Sequence, residues 1–323
     1  MESGIFLSVV DYFFQNGIDE VQYFSLKKVS NYHPHVRMLN IYRKNGDVKK
    51  YLIKVFVDQN EHSDKNLDSI LREERVLKKL KNYGFLTKER VIVKEKGNEV
   101  IGFPFVVSTA LPGRSINNLS KKAVALLADD ILEYLYYLHK RTISSSFKKE
   151  FYPRSLKKSF EELESEYLLS DIQRAGINFS EKEKDSLERA ISSLGEVELF
   201  SLCHCDVTLS NIIWDGKDVN MIDWTYSHFS TPAYDLAYFF FWMIKYEFIN
   251  ELEKKMRKVF EMYKEIGFNL SAPFLYYLSQ KYIEYGRMME GDERSHYIKK
   301  GKKLLSKAPI YSLEELLKVV KFL

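Results

Sequence analysis

The chain has 323 residues, and its 49 Lys plus Arg against 45 Asp plus Glu leave a formal net charge of only +4 at pH 7. So small a charge does not support binding to nucleic acid or to an anionic membrane, although a local basic groove would not show in one dimension. Hydrophobic residues make up 45% and charged residues 29%, which is typical of a globular protein, and the length suffices for two lobes.

The chain shows no targeting or membrane-spanning pattern. Residues 5–14 are apolar but lack a basic flank and a small-residue cleavage site, so they predict a packed helix rather than a signal peptide. The most apolar run, residues 236–244, is far shorter than the ~20 residues that span a bilayer. Cys203 and Cys205 are poorly spaced for a disulfide and are typical of buried side chains in a reducing compartment. We therefore expect a cytoplasmic protein without a membrane segment.

Two elements in the first hundred residues each place one charged side chain beside an apolar face. Residues 51–56 alternate in the manner of a strand, with Lys54 facing away from its apolar neighbours. Residues 71–80 carry an apolar stripe at helical spacing, bordered by Glu73 and Glu74. On these patterns alone, an exposed strand lysine and a solvated helix glutamate are the alternative interpretations.

The middle of the chain predicts three further elements. An apolar strand runs into a Pro-Gly turn over residues 103–113. Residues 123–139 have the pattern of an amphipathic helix. A capping box at Ser180 and Glu183 predicts the start of another helix.

The most informative segment is His204-x-Asp206, followed by Asn211 and then by Asp223. The residues between Asn211 and Asp223 form two short β-prone runs on either side of an Asp-Gly pair, which is the strongest short-range signal for a hairpin. Because a hairpin brings its ends together, Asn211 and Asp223 are predicted to lie side by side.

This arrangement fits phosphoryl transfer from ATP. Asp206 can accept the proton of an attacking hydroxyl, and Asn211 and Asp223 can hold magnesium against the phosphates. Magnesium prefers hard oxygen ligands and takes one or two carboxylates beside the oxygens of the nucleotide. The alternative is a chance loop in which Asp223 only caps a turn, and the hairpin register favours the catalytic interpretation.

The segment resembles the catalytic and metal-binding loops of the aminoglycoside phosphotransferase and choline kinase superfamily, the small-molecule branch of the protein-kinase-like fold. That group shows His-x-Asp, an Asn five residues later, Ile-Asp-Trp or Ile-Asp-Phe, and a further Asp-Leu-Ala, here residues 235–237. The resemblance runs from about residue 24 to about residue 240 in order and spacing. It implies a bilobal α+β fold, with an antiparallel sheet and a helix in an N-lobe at residues 1–108. A mainly helical C-lobe with the catalytic hairpin would follow at residues 109–323.

The resemblance also implies how ATP is held. Lys54 is similar to the strand lysine that binds the α- and β-phosphates, and Glu73, rather than Glu74, resembles the helix glutamate that orients this lysine. Backbone groups of Thr109 and Leu111 are expected to bind the adenine edge.

Two more residues receive structural roles from the resemblance, and three features depart from it. His204 is expected to be a buried strut, and Asp235 to brace the backbone of the catalytic loop. Thr208 stands where many relatives have a basic residue or histidine, and Thr225 where they often have a glutamate. The turn at residues 30–35 has no glycine, unlike the phosphate loop of protein kinases.

The last third of the chain, which would bind the acceptor, is predicted to be helical at residues 239–249, 251–266, 273–289 and 313–323. Its aromatic and acidic residues could form a pocket for a cationic amine: Tyr276, Tyr277, Tyr282, Tyr285, Glu284 and Glu290. The alternative is that the tyrosines pack the helices together. The slight excess of Lys and Arg here argues against a polycationic aminoglycoside.

We therefore predict an ATP- and Mg²⁺-dependent phosphotransferase that moves the γ-phosphate to a hydroxyl of a small molecule, namely a sugar, an amino alcohol or an aminoglycoside-like compound. The alternatives are a kinase of a macromolecule such as RNA or protein, and a nucleotide-binding pseudokinase scaffold. Only eleven residues separate Asp223 from Asp235, too few for the activation segment of a protein kinase. The presence of all the catalytic elements argues against a pseudokinase.

Overall fold

We analysed a computed structural model of the chain. The residues it describes are 2–15, 21–28, 36–55, 72–73, 75–81, 91–95, 105–145, 158–174, 176–247 and 252–321. The chain divides into two compact units, Met1–Gly113 and Arg114–Leu323. Each unit is described in turn.

The first unit consists of a helix, an antiparallel sheet and a second helix. Helix α1 spans Glu2–Gln15, and helix α2 is described at residues 72–73 and 75–81. The strands are β1 Val21–Lys28, β2 Val36–Arg43, β3 Val48–Val55, β4 Val91–Glu95 and β5 Phe105–Thr109. They pair in the order β1-β2-β3-β5-β4, so β3 lies in the middle of the sheet.

The core of this unit forms between α1 and the central strands. Phe6, Val9 and Phe13 of α1 are buried together with Leu39, Ile41, Ile53, Val55, Phe105 and Val107 of the sheet. Along β3, Tyr51, Ile53 and Val55 are buried, whereas Leu52 and Lys54 are partly exposed on the other face. The structure confirms the helix predicted at residues 5–14 and the strand that presents Lys54 away from its apolar neighbours.

The second unit is mainly helical. Its longer helices are α3 Lys121–Arg141, α4 Phe160–Arg174, α5 Glu181–Ser192, α6 Ala233–Lys245, α7 Leu252–Glu265, α8 Ser271–Arg287, α9 Gly291–Leu305 and α10 Leu313–Val320. Its short strands are β6 Arg114–Ser115, β7 Ser201–Cys203, β8 Ile212–Trp214, β9 Val219–Met221 and β10 His228–Ser230. Strands β6, β8 and β9 form one antiparallel sheet, and β7 pairs with β10. No helix in the described ranges is long and apolar enough to cross a bilayer.

Two helix predictions in this unit are confirmed. Helix α3 contains the amphipathic stretch predicted at residues 123–139 and buries one face of it. Helix α5 begins with the predicted capping box: Ser180 N–H donates to the carboxylate of Glu183 at 2.7 Å, and Glu183 N–H donates to the Ser180 hydroxyl at 3.4 Å.

The prediction for the C-terminal third was incomplete. Helix α9 was missed because its sequence is rich in charge and contains Gly301, a poor helix former. A Cβ at Gly301 would lie 2.7 Å from Ile283 Cγ1, so the glycine allows α9 to approach α8 closely. Helix α6 also begins at Ala233 rather than at residue 239, because Pro232, with its fixed φ, suits the residue just before a helix.

Candidate active site

The loop that carries Asp206 joins β7 to β8, and a buried histidine fixes its first turn. His204 Nε2 donates to the carbonyl oxygen of Ile222 at 2.9 Å, and His204 Nδ1 accepts the backbone N–H of Asp206 at 3.3 Å. The imidazole packs against Trp224, with ring centres 4.6 Å apart. These contacts tie the loop to the residues after β9 and agree with the role of buried strut expected of His204.

A buried carboxylate in the first turn of α6 holds the backbone of the same loop. The two oxygens of Asp235 accept the N–H groups of His204 and Cys205, each at 2.7 Å. Cys205 has a φ of 63°, a left-handed conformation that is costly for a residue other than glycine and persists only where its surroundings impose it. The contacts agree with the bracing role expected of Asp235.

Asp235 also holds the end of α3. Its Oδ2 lies 3.0 Å from His139 Nε2, and His139 Nδ1 lies 2.6 Å from the hydroxyl of Tyr263. Burial opposes the charge on the imidazole, but Cys203 and Asp235 beside it raise the pKa of His139 to about 9. Burial also opposes the charge on Asp235, yet its contacts with His139 and the loop hold its pKa below the usual value.

This buried cluster has the composition of a metal site but is already satisfied by the protein. Possible ligand atoms of His139, Cys203 and Asp235 all lie within 4.8 Å of one another. The carboxylate oxygens, however, accept two backbone N–H groups, and both imidazole nitrogens have protein partners. We interpret the cluster as a hydrogen-bonded brace.

Asn211 closes the far end of the loop onto Asp206. Its Nδ2 donates to Asp206 Oδ2 at 2.7 Å and to the Asp206 carbonyl oxygen at 3.1 Å. These bonds define the orientation of the amide, since nitrogen and oxygen of an asparagine are assigned from the hydrogen-bond network. The amide oxygen of Asn211 therefore points away from Asp206.

The predicted hairpin is present and has the predicted consequence. Strands β8 and β9 pair with Ile212 opposite Met221, and Ile222 N–H donates to the carbonyl of Asn211 at 2.9 Å. This last bond lies at the open end of the hairpin. Asn211 and Asp223, twelve residues apart in sequence, are thus brought to adjacent chain ends.

The two threonines that depart from the family pattern both make hydrogen bonds. The Thr225 hydroxyl donates to Asp223 Oδ1 at 2.8 Å and so orients this carboxylate, whose backbone is left-handed with φ of 65°. The Thr208 hydroxyl lies 2.9 Å from that of Ser210. Thr208 thus adds no positive charge beside Asp206.

Charges from two parts of the second unit act on Asp206. Burial is the main reason that the pKa of Asp206 lies above its usual value. The ammonium group of Lys281 opposes this rise, whereas the carboxylates of Asp223 and Glu284 add to it. Lys281 is not among the residues that the sequence motifs predict for the site. A lysine among the apolar and aromatic residues of α8, three positions before a glutamate, is the signal that could have identified it.

In the first unit, Lys54 and Glu73 form the ion pair that the resemblance implied. Lys54 Nζ lies 3.6 Å from Glu73 Oε2, and the two side chains are only 19% and 11% exposed. The competing glutamate, Glu74, lies outside the described residues, as do residues 30–35.

The first unit also has an open pocket of about 860 Å³ beside the expected adenine-binding residues. Thr109 and Leu111 line it, together with the start of β3. Between them, Ala110 donates its N–H to the carbonyl of Lys50 at 3.0 Å. This bond fixes the segment that follows β5 against β3.

The aromatic pocket considered for the acceptor is not formed by all of its members. Tyr276, Tyr277 and Tyr282 are at most 1% exposed and pack the helices, as the alternative interpretation held. Tyr276 donates its hydroxyl proton to the carbonyl of Glu164 at 3.0 Å. Tyr285, in contrast, contacts Lys245 of α6.

Solved phosphotransferases share this fold over nearly the full chain. One similar structure is a protein from Ralstonia eutropha JMP134 that was described as a candidate aminoglycoside phosphotransferase. Its TM-score is 0.61 and its sequence identity 12%, over 96% of this chain and 98% of that one. APH(4)-Ia in complex with AMP-PNP and hygromycin B has a TM-score of 0.57 and 13% identity, over 96% and 98%. The macrolide 2′-phosphotransferase MphH from Brachybacterium faecium has a TM-score of 0.54 and 13% identity, over 94% and 99%. These likenesses establish a kinase-like α+β fold, as predicted.

The sequence itself gives the family. The profile of the phosphotransferase enzyme family matches residues 38–255, about two thirds of the chain. That range contains Lys54, the catalytic loop, the hairpin and Asp235. No curated protein matches the sequence significantly. The chain belongs to the phosphotransferase enzyme family, as the resemblance indicated, and it is a phosphotransferase.

Proposed function

We propose that this enzyme uses ATP and magnesium to phosphorylate a hydroxyl group of a small molecule: a sugar, an amino alcohol or an aminoglycoside-like compound. The observation that carries the proposal is the contact of Asp206 with Asn211 at 2.7 Å, because Asn211 lies at one end of a hairpin whose other end leads to Asp223. APH(4)-Ia was solved with AMP-PNP and hygromycin B, and the amicoumacin kinase hAmiN with AMP-PNP, Ca²⁺ and Ami. Both complexes support a nucleotide and a small acceptor as the two substrates.

In this proposal Asp206 is the catalytic base. It orients the acceptor hydroxyl and takes its proton as the oxygen forms a bond to the γ-phosphorus and the bond to ADP breaks. Burial raises the pKa of Asp206, and a base works best when its pKa approaches the operating pH. The bond from Asn211 fixes the carboxylate in one orientation.

Asn211 and Asp223 are the residues that would hold magnesium. Their amide and carboxylate oxygens are the hard ligands that Mg²⁺ prefers, and two protein ligands suffice when phosphate oxygens and water complete the shell. The donor set fits, because the amide nitrogen of Asn211 is engaged with Asp206 and its oxygen is turned the other way. Bound magnesium supplies charge neutralisation for the triphosphate.

The first unit would hold the rest of the nucleotide. Lys54 would bind the α- and β-phosphates, and Glu73, at 3.6 Å, keeps its ammonium in place. Thr109 and Leu111 would offer backbone groups to adenine from the wall of the 860 Å³ pocket. Most of the acceleration would then come from positioning and from charge stabilisation.

The short connection after Asp223 supports a small acceptor over a protein. Its eleven residues include a 3₁₀ helix, Trp224–Tyr226, and strand β10, His228–Ser230, which pairs with β7. Because these residues form a 3₁₀ helix and a strand, they do not provide the long loop on which a protein kinase binds its peptide substrate.

The test is ATP consumption with Mg²⁺ against hydroxyl-bearing acceptors, comparing the wild type with Asp206→Asn. We expect kcat to fall about 10²- to 10⁴-fold, as for loss of a general base, while AMP-PNP binding by calorimetry stays within about threefold. Asp185→Asn, on an exposed position of α5, makes the same chemical change and should leave kcat unchanged. Near-normal turnover by Asp206→Asn would show that the catalytic assignment is wrong.

A further inference from the structure

A polar and aromatic seam runs between α6 and α8 from the neighbourhood of Asp206. We define the α6–α8 seam as Tyr238, Trp242 and Lys245 of α6 with Lys281, Glu284 and Tyr285 of α8. Tyr238 and Lys245 are seven residues apart on one helix, a separation of about 10 Å at 1.5 Å per residue. A molecule of monosaccharide size can span that length.

The inner part of the seam is electrically balanced. Lys281 Nζ lies 3.1 Å from Glu284 Oε2 and 4.1 Å from the ring centre of Tyr238. Tyr238 donates its hydroxyl proton to the same Glu284 oxygen at 2.9 Å. Tyr234 donates its hydroxyl proton to the Tyr238 hydroxyl at 3.2 Å and packs against His228, whose Nε2 lies 3.7 Å from the sulfur of Cys205, the residue before Asp206. This part of the seam is therefore linked by direct contacts to the catalytic loop.

The outer part of the seam carries a positive charge that has no carboxylate partner among the described residues. Across the described ranges, the partners of Lys245 are the hydroxyls of Tyr246 and Tyr285 and the faces of three rings. Its Nζ lies 4.1 Å from the ring centre of Tyr285, 4.4 Å from that of Tyr246 and 5.2 Å from that of Trp242. Burial works against the charge, yet the hydrogen bonds to Tyr285 and Tyr246 keep the pKa of Lys245 above its ordinary value. Lys245 is therefore a cation at neutral pH.

A buried indole N–H group lies on the residue whose ring packs against this cation. The Trp242 Nε1 atom is buried and has no hydrogen-bond partner among the described residues. The Trp242 ring centre is 5.2 Å from Lys245 Nζ and 5.8 Å from Lys281 Nζ. A buried donor without a partner is unfavourable, and the group that would satisfy both the indole and the ammonium is an anion.

An external ammonium group does not fit the same place. Aromatic faces attract cations, but the faces of Trp242, Tyr246 and Tyr285 already surround the protein's own Lys245. A second positive charge would meet repulsion from Lys245 in a partly buried setting, where like charges interact strongly.

We propose that the α6–α8 seam is the acceptor subsite and that the acceptor carries an anionic group, a carboxylate or a phosphate, which binds at Lys245 and the Trp242 indole while its hydroxyl is presented to Asp206. This inference rests on the proposed function, because it specifies the class of acceptor for the same reaction. The substrate would be a hydroxy acid of monosaccharide size, such as a sugar acid or a sugar phosphate.

The test compares four hexoses that differ in charge: glucose, glucosamine, glucuronate and glucose 6-phosphate. Binding to the enzyme with AMP-PNP and Mg²⁺ is measured by calorimetry. We expect at least one of the two acids to bind ten or more times as tightly as glucose and glucosamine, and the two acid arms distinguish a carboxylate from a phosphate site. Lys245→Gln should remove this preference without changing glucose binding. Lys245→Arg should retain it.

The matched control is Lys264→Gln, which removes a charge from an exposed position of α7 and should keep the preference. Equal binding of acids and neutral sugar, absence of binding by both acids, or an unchanged preference in Lys245→Gln would each overturn the acceptor class. If the acceptor class is overturned in this way, phosphoryl transfer to neutral or amino acceptors that depends on Asp206 would still support the proposed function. Loss of the proposed function would instead show as no Mg²⁺-dependent binding of AMP-PNP.

Discussion

Asp206 lies among charged groups that act on it in opposite directions. Asp223 and Glu284 raise its pKa beyond the effect of burial, while Lys281 lowers it. Thr208, two residues after Asp206, contributes no charge. The positive charge near this carboxylate therefore comes from α8, and the ionisation of Asp206 depends on a helix that is distant in sequence.

The charges around Asp206 predict how the pH dependence of activity responds to substitution. A catalytic base must be ionised, so activity rises with pH through the pKa of Asp206. Lys281 lowers this pKa, so Lys281→Met should move the acid limb of kcat/KM for the acceptor to higher pH. Glu284 raises it, so Glu284→Gln should move the limb to lower pH. The measurement is the pH dependence of kcat/KM at saturating ATP.

Lys281 and Glu284 are 3.1 Å apart, so substitutions at either position disturb the same packing. Disturbed packing would lower kcat/KM in both variants, whereas an electrostatic effect would move the acid limbs of the two pH profiles in opposite directions. Lys281→Arg keeps the charge and should leave the limb near its wild-type position. Shifts of the same sign in Lys281→Met and Glu284→Gln would contradict the assignment.

The conformation of the catalytic loop depends on the ends of two helices. The first turn of α6 supplies Asp235 and the last turn of α3 supplies His139. Together they hold the left-handed Cys205 immediately before Asp206. The loop conformation is therefore set by α3 and α6. For this reason we expect Asp235 to affect turnover, although it is assigned no contact with the substrates.

Asp235→Asn tests this brace. An amide has one acceptor oxygen, so its NH₂ group would face either the His204 or the Cys205 N–H, and a buried donor would lose its partner. We expect the free energy of unfolding to fall by about 2–4 kcal/mol, measured by urea denaturation, together with a loss of kcat. Asp185→Asn, exposed on α5, is the control. Wild-type stability in Asp235→Asn would show that the carboxylate does not hold the loop.

The sequence was sufficient for the local elements and insufficient where helices meet. The hairpin between Asn211 and Asp223 followed from an Asp-Gly turn and two β-prone runs, because its pairing depends on neighbours in the chain. Lys281 was missed because its role comes from packing of α8 near Asp206, which no local pattern encodes. Helix α9 was missed for a related reason: Gly301 lowers helix propensity but allows the close contact with α8.

The residues of the proposed chemistry are divided between the two units. The first unit contains the Lys54–Glu73 pair, and the second contains Asp206, Asn211 and Asp223. The family profile extends from β2 into α7 and ends before α8. The half of the α6–α8 seam that lies on α8 is thus outside the range that the family profile matches.

The positive charge in the α6–α8 seam predicts how the enzyme behaves in a cell exposed to a polycationic aminoglycoside. The only uncompensated charge described in the seam is that of Lys245, and a positive charge there disfavours a cationic acceptor. We therefore expect expression of the enzyme in a susceptible bacterium to leave the minimal inhibitory concentration of such a drug unchanged within twofold, relative to Asp206→Asn expressed at the same level. Lys245→Glu reverses the charge and should be the variant most able to gain activity toward the drug in vitro. An increase in resistance with the wild type that disappears in Asp206→Asn would show that the seam accepts cations and that Lys245 does not decide the acceptor.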